Sequence, residues 1–481
     1  MRPLILLSAA ALAIGGTGYG VTQTVRSISA SDKAAGARAH PQLLEEFGGA
    51  YPGPQARYVE SVGKRIAVQS GLSNSQKDFT VTLLNSPVNN AFAIPGGYVY
   101  VTRQLLALMN DEAELASVLG HEVGHVAARH AAKRNRTSIF GQIAAAAAGV
   151  LTGNSQIAGI VGQGAQLVTL RFSRQQEYEA DDLGIRYLTT AGYDPYASAS
   201  MLASLNAQTS LEARVRGQED RGLPTWASTH PNGADRVRRA EAQAAKTGVA
   251  AGTRLRNRDT FLTALDGVTY DDDPAQGIVD GQRFQHPALK LGFTAPPGYA
   301  LANGTTAVSV SGSGGQAQFS GGAATTDLAG YIDRVFRGLA GGGNGMVNYG
   351  QVQATRINGL DAAYASARAA GNSGQQLDVT VFAYALGGKA YHFTTITPAG
   401  AGLGPFSPMI QSFTRLTDAQ ASAIKARRID VVTVKAGDTA NSLAQRMAYG
   451  DYKLERFLTL NALSAGTALR PGQKVKLIVY G

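Results

Sequence analysis

The sequence predicts an α+β multidomain protein: a mainly helical N-terminal domain with a small sheet, a small α+β middle domain, and a C-terminal βααβ module. Three observations predict it. Asp111-Glu112-Ala113-Glu114 reads as a helix N-cap, and Leu115, Val118, Leu119 and Val126 then recur at helical spacing, with no Pro or β-branched run before Arg134. After about residue 245 the pattern changes to Ala-Gly-rich and Asp-rich segments followed by short strand-like runs. The final fifty or so residues read strand, helix, helix, strand. At 481 residues there is material for about three domains with independent cores, and the boundaries fall at 1–30, 31–265, 266–425 and 430–481.

Residues 3–14 form an apolar run after Arg2 and read as a secretory signal peptide with a weakly marked cleavage point near Ala30. An uncleaved anchor is the alternative, because residues 3–25 carry no charge, although Gly15, Gly16, Gly18 and Gly20 make a poor membrane helix. Cysteine is absent, which excludes disulfides, Cys metal sites and a lipid-bearing N-terminal Cys. Phe79, Val81 and Leu83 alternate, the chain turns near Asn85-Ser86-Pro87, and Phe92-Ala93-Ile94 runs through a Pro-Gly-Gly turn into a strand over 98–101. An exposed edge there would add an extended peptide by backbone pairing and favour unfolded chains; the same residues also read simply as sheet-core strands.

The chemistry concentrates in His121-Glu122-Val123-Gly124-His125. On a helix, two His four residues apart lie one turn apart on one face, where both imidazoles reach a single tetrahedral metal and Glu122 stands beside them as a base. A catalytic zinc needs a third protein ligand and an open position. A third His at the metzincin spacing is excluded, because Ala128 and Ala131 stand where Gly and His are required. His130 points away from the His pair on a continuous helix and reads as a surface or packing residue. The best remaining candidate is Glu177 in Ser173-Arg174-Gln175-Gln176-Glu177-Tyr178-Glu179-Ala180-Asp181, with Asp181 on the same helical face placed to hold the outer nitrogen of a zinc-bound His. Glu179 faces elsewhere and reads as solvated or in a structural ion pair.

The series Asn90-Ala91-Phe92-Ala93-Ile94-Pro95-Gly96-Gly97-Tyr98-Val99-Tyr100-Val101-Thr102, then H-E-V-G-H, then S-R-Q-Q-E-Y-E-A-D, then Ser228-Thr229-His230-Pro231, resembles the HtpX and CAAX-prenyl endopeptidase family of zinc metallopeptidases, the gluzincins. Within that family the sequence looks like the periplasmic, BepA-like branch, and the resemblance covers roughly residues 40–245. It implies a zincin-type metalloprotease domain with one Zn2+ per chain, His121, His125 and Glu177 as metal ligands, Asp181 behind them, and Glu122 as the catalytic base. His230 matches a position that in some relatives approaches the zinc as a self-inhibitory switch, and Arg236 matches an Arg near the cleft. Either of the two is a candidate donor to the tetrahedral oxyanion. His230 also reads as a loop residue before Pro231, and Arg236 as a surface charge beside Arg238 and Arg239.

The net charge is +10, from 44 basic and 34 acidic residues. Basic clusters at 129–136, 236–239 and 425–428 lack an aromatic platform, so no nucleic acid is expected; anionic envelope polymers or solubility explain the charge. Residues 140–170 are dominated by Ala, Gly, Ile and Val and read as a helical hairpin near the site, with peripheral membrane contact as the lesser reading. In the middle region, strands are expected at 306–310, 316–319, 378–385 and 390–396, a hairpin at Leu386-Gly387-Gly388-Lys389, and helices at 327–339 and 419–427; His286 and His392 read as structural.

The final segment, Val432-Thr433-Val434-Lys435-Ala436-Gly437-Asp438-Thr439 with Leu443-Ala444, Leu460-Asn461-Ala462-Leu463 and residues 469–477, resembles a LysM module, which implies peptidoglycan as a partner; the alternative is a LysM-like fold serving as an interdomain unit. Together these expectations describe an exported, periplasmic zinc endopeptidase, membrane- or wall-associated, acting on unfolded or misassembled envelope proteins. The competing classes are a chaperone-like or wall-binding protein with a latent metal site, and a peptidoglycan hydrolase.

Overall fold

Ser29 caps the first helix, α1 (Ala30–Glu46), by accepting from the Asp32 amide, and Pro54 opens α2 (Pro54–Ala67), which turns Val59, Val62 and Ile66 inward. The structure, a computed structural model, describes residues 28–130, 172–215, 230, 233–339, 348–370 and 375–481. The expected signal segment up to residue 27, the 140–170 hairpin and most of the 129–136 basic run lie outside the described residues. Strands β1 (Thr80–Leu84), β2 (Ala91–Ile94) and β3 (Tyr98–Thr102) form one sheet in the order β1-β3-β2, with β1 parallel and β2 antiparallel to β3. Gly96 and Gly97 make the turn between β2 and β3 at φ of 101° and 87°, a region open to Gly and costly for other residues.

Thr102 caps α3 (Arg103–Leu108), and Asp111 caps α4 (Glu112–Ala127) by accepting from the Glu114 amide. The helix expected to run to Arg134 stops at Ala127. Arg129 takes a left-handed φ of 55° and turns the chain back, so that His130 is buried beneath the last turn rather than projecting from a continuing helix. A reciprocal Ser173–Gln176 capping box starts α5 (Arg174–Thr190), which is followed by α6 (Ala197–Val215), α7 (Ala234–Lys246) and α8 (Arg258–Leu265). Small residues let α4 and α5 cross closely: a Cβ on Gly184 would lie 3.1 Å from the His121 amide nitrogen, and one on Gly124 would lie 3.1 Å from the Ala180 carbonyl. That approach brings Glu177 to the His pair.

The chain enters the middle region from β4 (Thr269–Tyr270) and returns in β16 (Arg427–Thr433); the two strands pair, Tyr270 opposite Arg427, so the middle region is inserted between neighbouring strands. It holds two sheets. Strands β5 (Ile278–Asp280), β6 (Arg283–His286), β7 (Leu291–Thr294) and β15 (Thr414–Arg415) run in the order β15-β7-β6-β5. The second sheet comprises β8 (Ala300–Asn303), β9 (Val308–Gly312), β10 (Gly315–Ala323), β11 (Gln353–Ile357), β12 (Leu360–Ala370), β13 (Gln376–Leu386) and β14 (Lys389–Pro398), in the order β11-β12-β13-β14-β10-β9-β8. Gly387 and Gly388 turn β13 into β14 at φ of 59° and 74°. Helix α9 (Leu328–Leu339) packs Ile332 and Phe336 onto Val379 and Val381, while Phe293, Phe319, Phe393 and Phe413 fill a separate core with α10 (Ser407–Ser412). The helix expected at 419–427 is shorter, α11 (Asp418–Ala423): Ile424 is already extended, and pairing of Arg427 with both Tyr270 and Tyr480 draws the following residues into β16.

His392 accepts from or donates to the Tyr331 hydroxyl across 2.8 Å, and burial lowers its pKa to about 4 from an ordinary 6.5. The unfolded chain therefore binds the extra proton between these values, so stability is lost as pH falls from about 6.5 to 4. The expected result is a melting point that drops by roughly 5 °C more in the wild type than in His392→Gln across that window, read by thermal unfolding at pH 7, 5.5 and 4.5.

Strand β16 pairs antiparallel with β17 (Lys474–Tyr480), and α12 (Ala440–Ala444) and α13 (Lys453–Leu460) lie between them in sequence, giving the expected βααβ order. The expectation of an independent core for this module needs correction. Ile429, Leu443, Phe457, Val475, Leu477 and Ile478 belong to the same continuous apolar core as Val59, Leu105, Leu119 and Phe261. Lys476 is fully buried, and its ammonium donates to the Ala107 and Met109 carbonyls across 2.7 and 2.6 Å, at the C-terminal end of α3 just before α4. Among the described residues, no helix is long and apolar enough to cross a membrane.

Candidate metal centre

Helix α4 carries His121 and His125 on one face, with their Nε2 atoms 3.0 Å apart. Helix α5, held against it by the glycine crossing, brings Glu177 so that its two oxygens lie 3.5 Å from His121 Nε2 and 3.5 Å from His125 Nε2. His230 enters from the segment preceding α7. Its Nδ1 is 3.2 Å from His121 Nε2 and 3.0 and 3.1 Å from the Glu177 oxygens. One donor atom from each of these four buried residues lies within 4.8 Å of every other. A tetrahedral ion with bonds of about 2.05 Å separates its ligands by about 3.3 Å, so these spacings and the His/carboxylate chemistry fit a zinc-sized cation. Glu122 is 1% exposed, and its Oε1 lies 3.7 Å from His230 Nε2.

The cluster is backed by a second layer of charge. Asp181 Oδ1 is 2.9 Å from His121 Nδ1, the outer nitrogen of that ring. Arg236 holds Asp181 bidentately, Nη2 to Oδ1 at 2.7 Å and Nε to Oδ2 at 3.0 Å. Its Nη1 is 3.0 Å from Glu177 and donates to the His230 carbonyl at 3.3 Å. All three guanidinium nitrogens thus have partners behind the donors, in Asp181, Glu177 and the His230 carbonyl. The charges follow from this arrangement. Burial opposes ionisation of Glu177, but the His230 and His121 rings outweigh it and hold the carboxyl well below its usual range. Burial likewise opposes charge on Asp181, and Arg236 and His121 overcome it. Burial disfavours a charged His121, yet Asp181 and Glu177 raise it to about 10, whereas burial and the neighbouring imidazoles push His125 far down.

This constellation falls within residues 54–244, which match the family described as Peptidase family M48. Residues 54–244 are an M48 peptidase domain. Residues 432–477 match the LysM domain family. The mitochondrial metalloendopeptidase OMA1 of Schizosaccharomyces pombe is 33% identical over 208 residues, covering 42% of this chain and 58% of that protein. The beta-barrel assembly-enhancing protease of Yersinia pestis is 31% identical over 184 residues, 36% of each chain, and the metalloprotease LoiP of Escherichia coli (strain K12) is 33% identical over 151 residues, 31% of this chain and 56% of that one. The chain therefore spans between 36% and 58% of the length of these relatives.

Two features of the M48 domain are not visible in helical spacing. His130, expected to point away, has its Nδ1 2.9 Å from His125 Nδ1 and its Nε2 3.1 Å from Glu179 Oε2. Phe172 stacks on the His125 ring with centroids 3.9 Å apart and planes 21° from parallel. The turn at Arg129 that produces the first contact carries neither Gly nor Asn, so no local signal announced it. Of the Ser228-Thr229-His230-Pro231 motif, only His230 lies among the described residues.

Proposed function

We propose that the protein is a zinc-dependent endopeptidase of the bacterial cell envelope, with one zinc held by His121, His125 and Glu177, that cuts unfolded or misassembled envelope proteins and is closed at rest by His230. The observation that carries this reading is the buried four-donor cluster beside Glu122 within an M48 domain. A zinc ion there supplies Lewis acidity and lowers the pKa of water toward about 7. Glu122 accepts the proton as water attacks the peptide carbonyl and then delivers it to the leaving amine. Arg236 keeps Asp181 ionised and braces Glu177 across 3.0 Å, and Asp181 fixes the His121 ring with Nε2 toward the donors. Strand β2 pairs only with β3 among the described residues and packs near α4, so its outer edge offers an extended peptide a backbone ladder beside the site. Folded substrates have satisfied their own strand edges; unfolded ones have not.

Envelope placement is supported by the apolar N-terminal run, the relatives named as beta-barrel assembly-enhancing proteases, and the LysM domain, which also supports peptidoglycan as a partner. Peripheral membrane contact and periplasmic residence belong to the same proposal. A second reading, a latent metal site in a chaperone-like or wall-binding protein, is favoured by one observation: His230 supplies the fourth donor and leaves no open position. His230→Ala separates the two. If closure is worth about 1.4 kcal/mol, the variant cleaves an unfolded protein about tenfold faster than wild type at equal zinc content. A lower rate at equal zinc content would instead give His230 a role in stabilising the transition state, and inertness of both would favour the latent site.

A further inference from the structure

The two His ligands of the proposed centre are supported in different ways. His121 turns its Nδ1 to a carboxylate, Asp181, which is itself clamped by Arg236. His125 turns its Nδ1 to another imidazole. Its Nε2 faces the donor cluster, 3.0 Å from His121 Nε2 and 3.5 Å from Glu177 Oε1, so the outer nitrogen is the one that meets His130 Nδ1 at 2.9 Å. Only one arrangement of protons satisfies all these contacts with neutral rings. A ligand His125 uses its Nε2 lone pair toward the cluster and carries its proton on Nδ1. That proton is donated to His130 Nδ1, which leaves the His130 proton on Nε2, where it is donated to Glu179 Oε2 at 3.1 Å.

The fold is built to make this contact. Had α4 continued, His130 would lie around the helix from His125; instead the left-handed turn at Arg129 folds the chain under the helix end and buries His130 completely. Phe172 covers the face of His125 at 3.9 Å and stands 6.0 Å from His130, so the ring is held in its plane by stacking and along its edge by a hydrogen bond. The outer end of the series is different: the Glu179 side chain is 47% exposed, which makes it the weakest link.

Resting on the metal-centre reading above, we propose that His130 is a positioning residue for the zinc ligand His125, fixing its tautomer and ring orientation through a His125–His130–Glu179 relay. It acts through His125 and touches neither substrate nor metal. Loss of such a partner behind a metal-bound His costs about 10- to 100-fold in metal affinity. Asn at this position offers a carbonyl oxygen close to where His130 presents Nδ1, whereas Leu fills space without accepting a hydrogen bond.

The test measures zinc affinity of the full chain by competition with a chromophoric chelator, together with the visible spectrum of the cobalt(II)-substituted protein. His130→Leu is expected to lose about 10- to 100-fold in zinc affinity with an altered cobalt spectrum, His130→Asn to stay within about threefold of wild type, and Glu179→Gln to fall between them. The proposal is overturned if folded His130→Leu binds zinc as wild type does with an unchanged spectrum, or if His130→Asn and His130→Leu, both folded by circular dichroism, are equally impaired. Failure of the metal-centre reading is distinguishable, because the wild type would then take up no zinc and His121→Ala would change nothing.

Discussion

A chain ending before Arg427 is expected to lose its folded peptidase domain, rather than yield a free protease detached from the cell wall. Strand β16 supplies the partner of β4, and the module contributes Ile429, Phe457, Val475, Leu477 and Ile478 to the core that also contains Leu105, Leu119 and Phe261. Removing these five uncovers the core residues that remain, and since each large apolar side chain stabilises by roughly 1.5–3 kcal/mol when buried, uncovering even three such residues approaches the roughly 5–15 kcal/mol that holds a domain together. Polar losses add to this. Lys476 satisfies the Ala107 and Met109 carbonyls, and Arg258 bridges the Asn110 and Lys474 carbonyls across the same seam, directly ahead of the helix bearing His121. Circular dichroism and limited proteolysis of residues 31–426 against 31–481 read the outcome. A truncated protein with the melting point and zinc uptake of the longer one would show that the module docks without stabilising its neighbour. Deletion experiments aimed at wall targeting should therefore use surface substitutions on the module.

Glu122→Gln is expected to lower kcat by about 10²–10⁴ while leaving zinc bound, because the substitution removes a proton acceptor and none of the four donors. Gln is nearly isosteric, and the 3.7 Å approach of Glu122 Oε1 to His230 Nε2 can be kept by an amide oxygen. Zinc content by mass spectrometry and kcat on an unfolded substrate check the two halves separately. Loss of zinc along with activity would place Glu122 among the ligands.

Much of the centre is legible from local rules. His121, Glu122 and His125 follow from helical spacing, and Glu177 and Asp181 from sharing one face of a second helix; the structure groups His121, His125 and Glu177 with His230, and buries Asp181 and Glu122 beside them. What escapes is set by tertiary contact. Arg236 meets Asp181 across 55 positions of sequence, and from the chain alone it looks like its exposed neighbour Arg238. His130 was hidden by a left-handed turn at an ordinary Arg. The middle strands and their Gly-Gly hairpin were readable because alternation and turn chemistry are local, whereas the end of α11 was decided by the pairing of Arg427. The merged core left only a partial trace. In β17, Leu477, Ile478 and Val479 run without a polar residue, as in a strand covered on both faces, but Lys474 and Lys476 alternate with Val475 like a half-exposed strand, and only the structure shows Lys476 buried.

Zinc titration of the metal-stripped full chain, with cleavage of a fluorescently labelled unfolded protein followed at each addition, tests the central claim most directly. The account predicts chelator-sensitive cleavage that rises to a plateau at one equivalent of zinc, is faster in His230→Ala, and is abolished in Glu122→Gln. Saturable zinc binding with no cleavage by either the wild type or His230→Ala would contradict it.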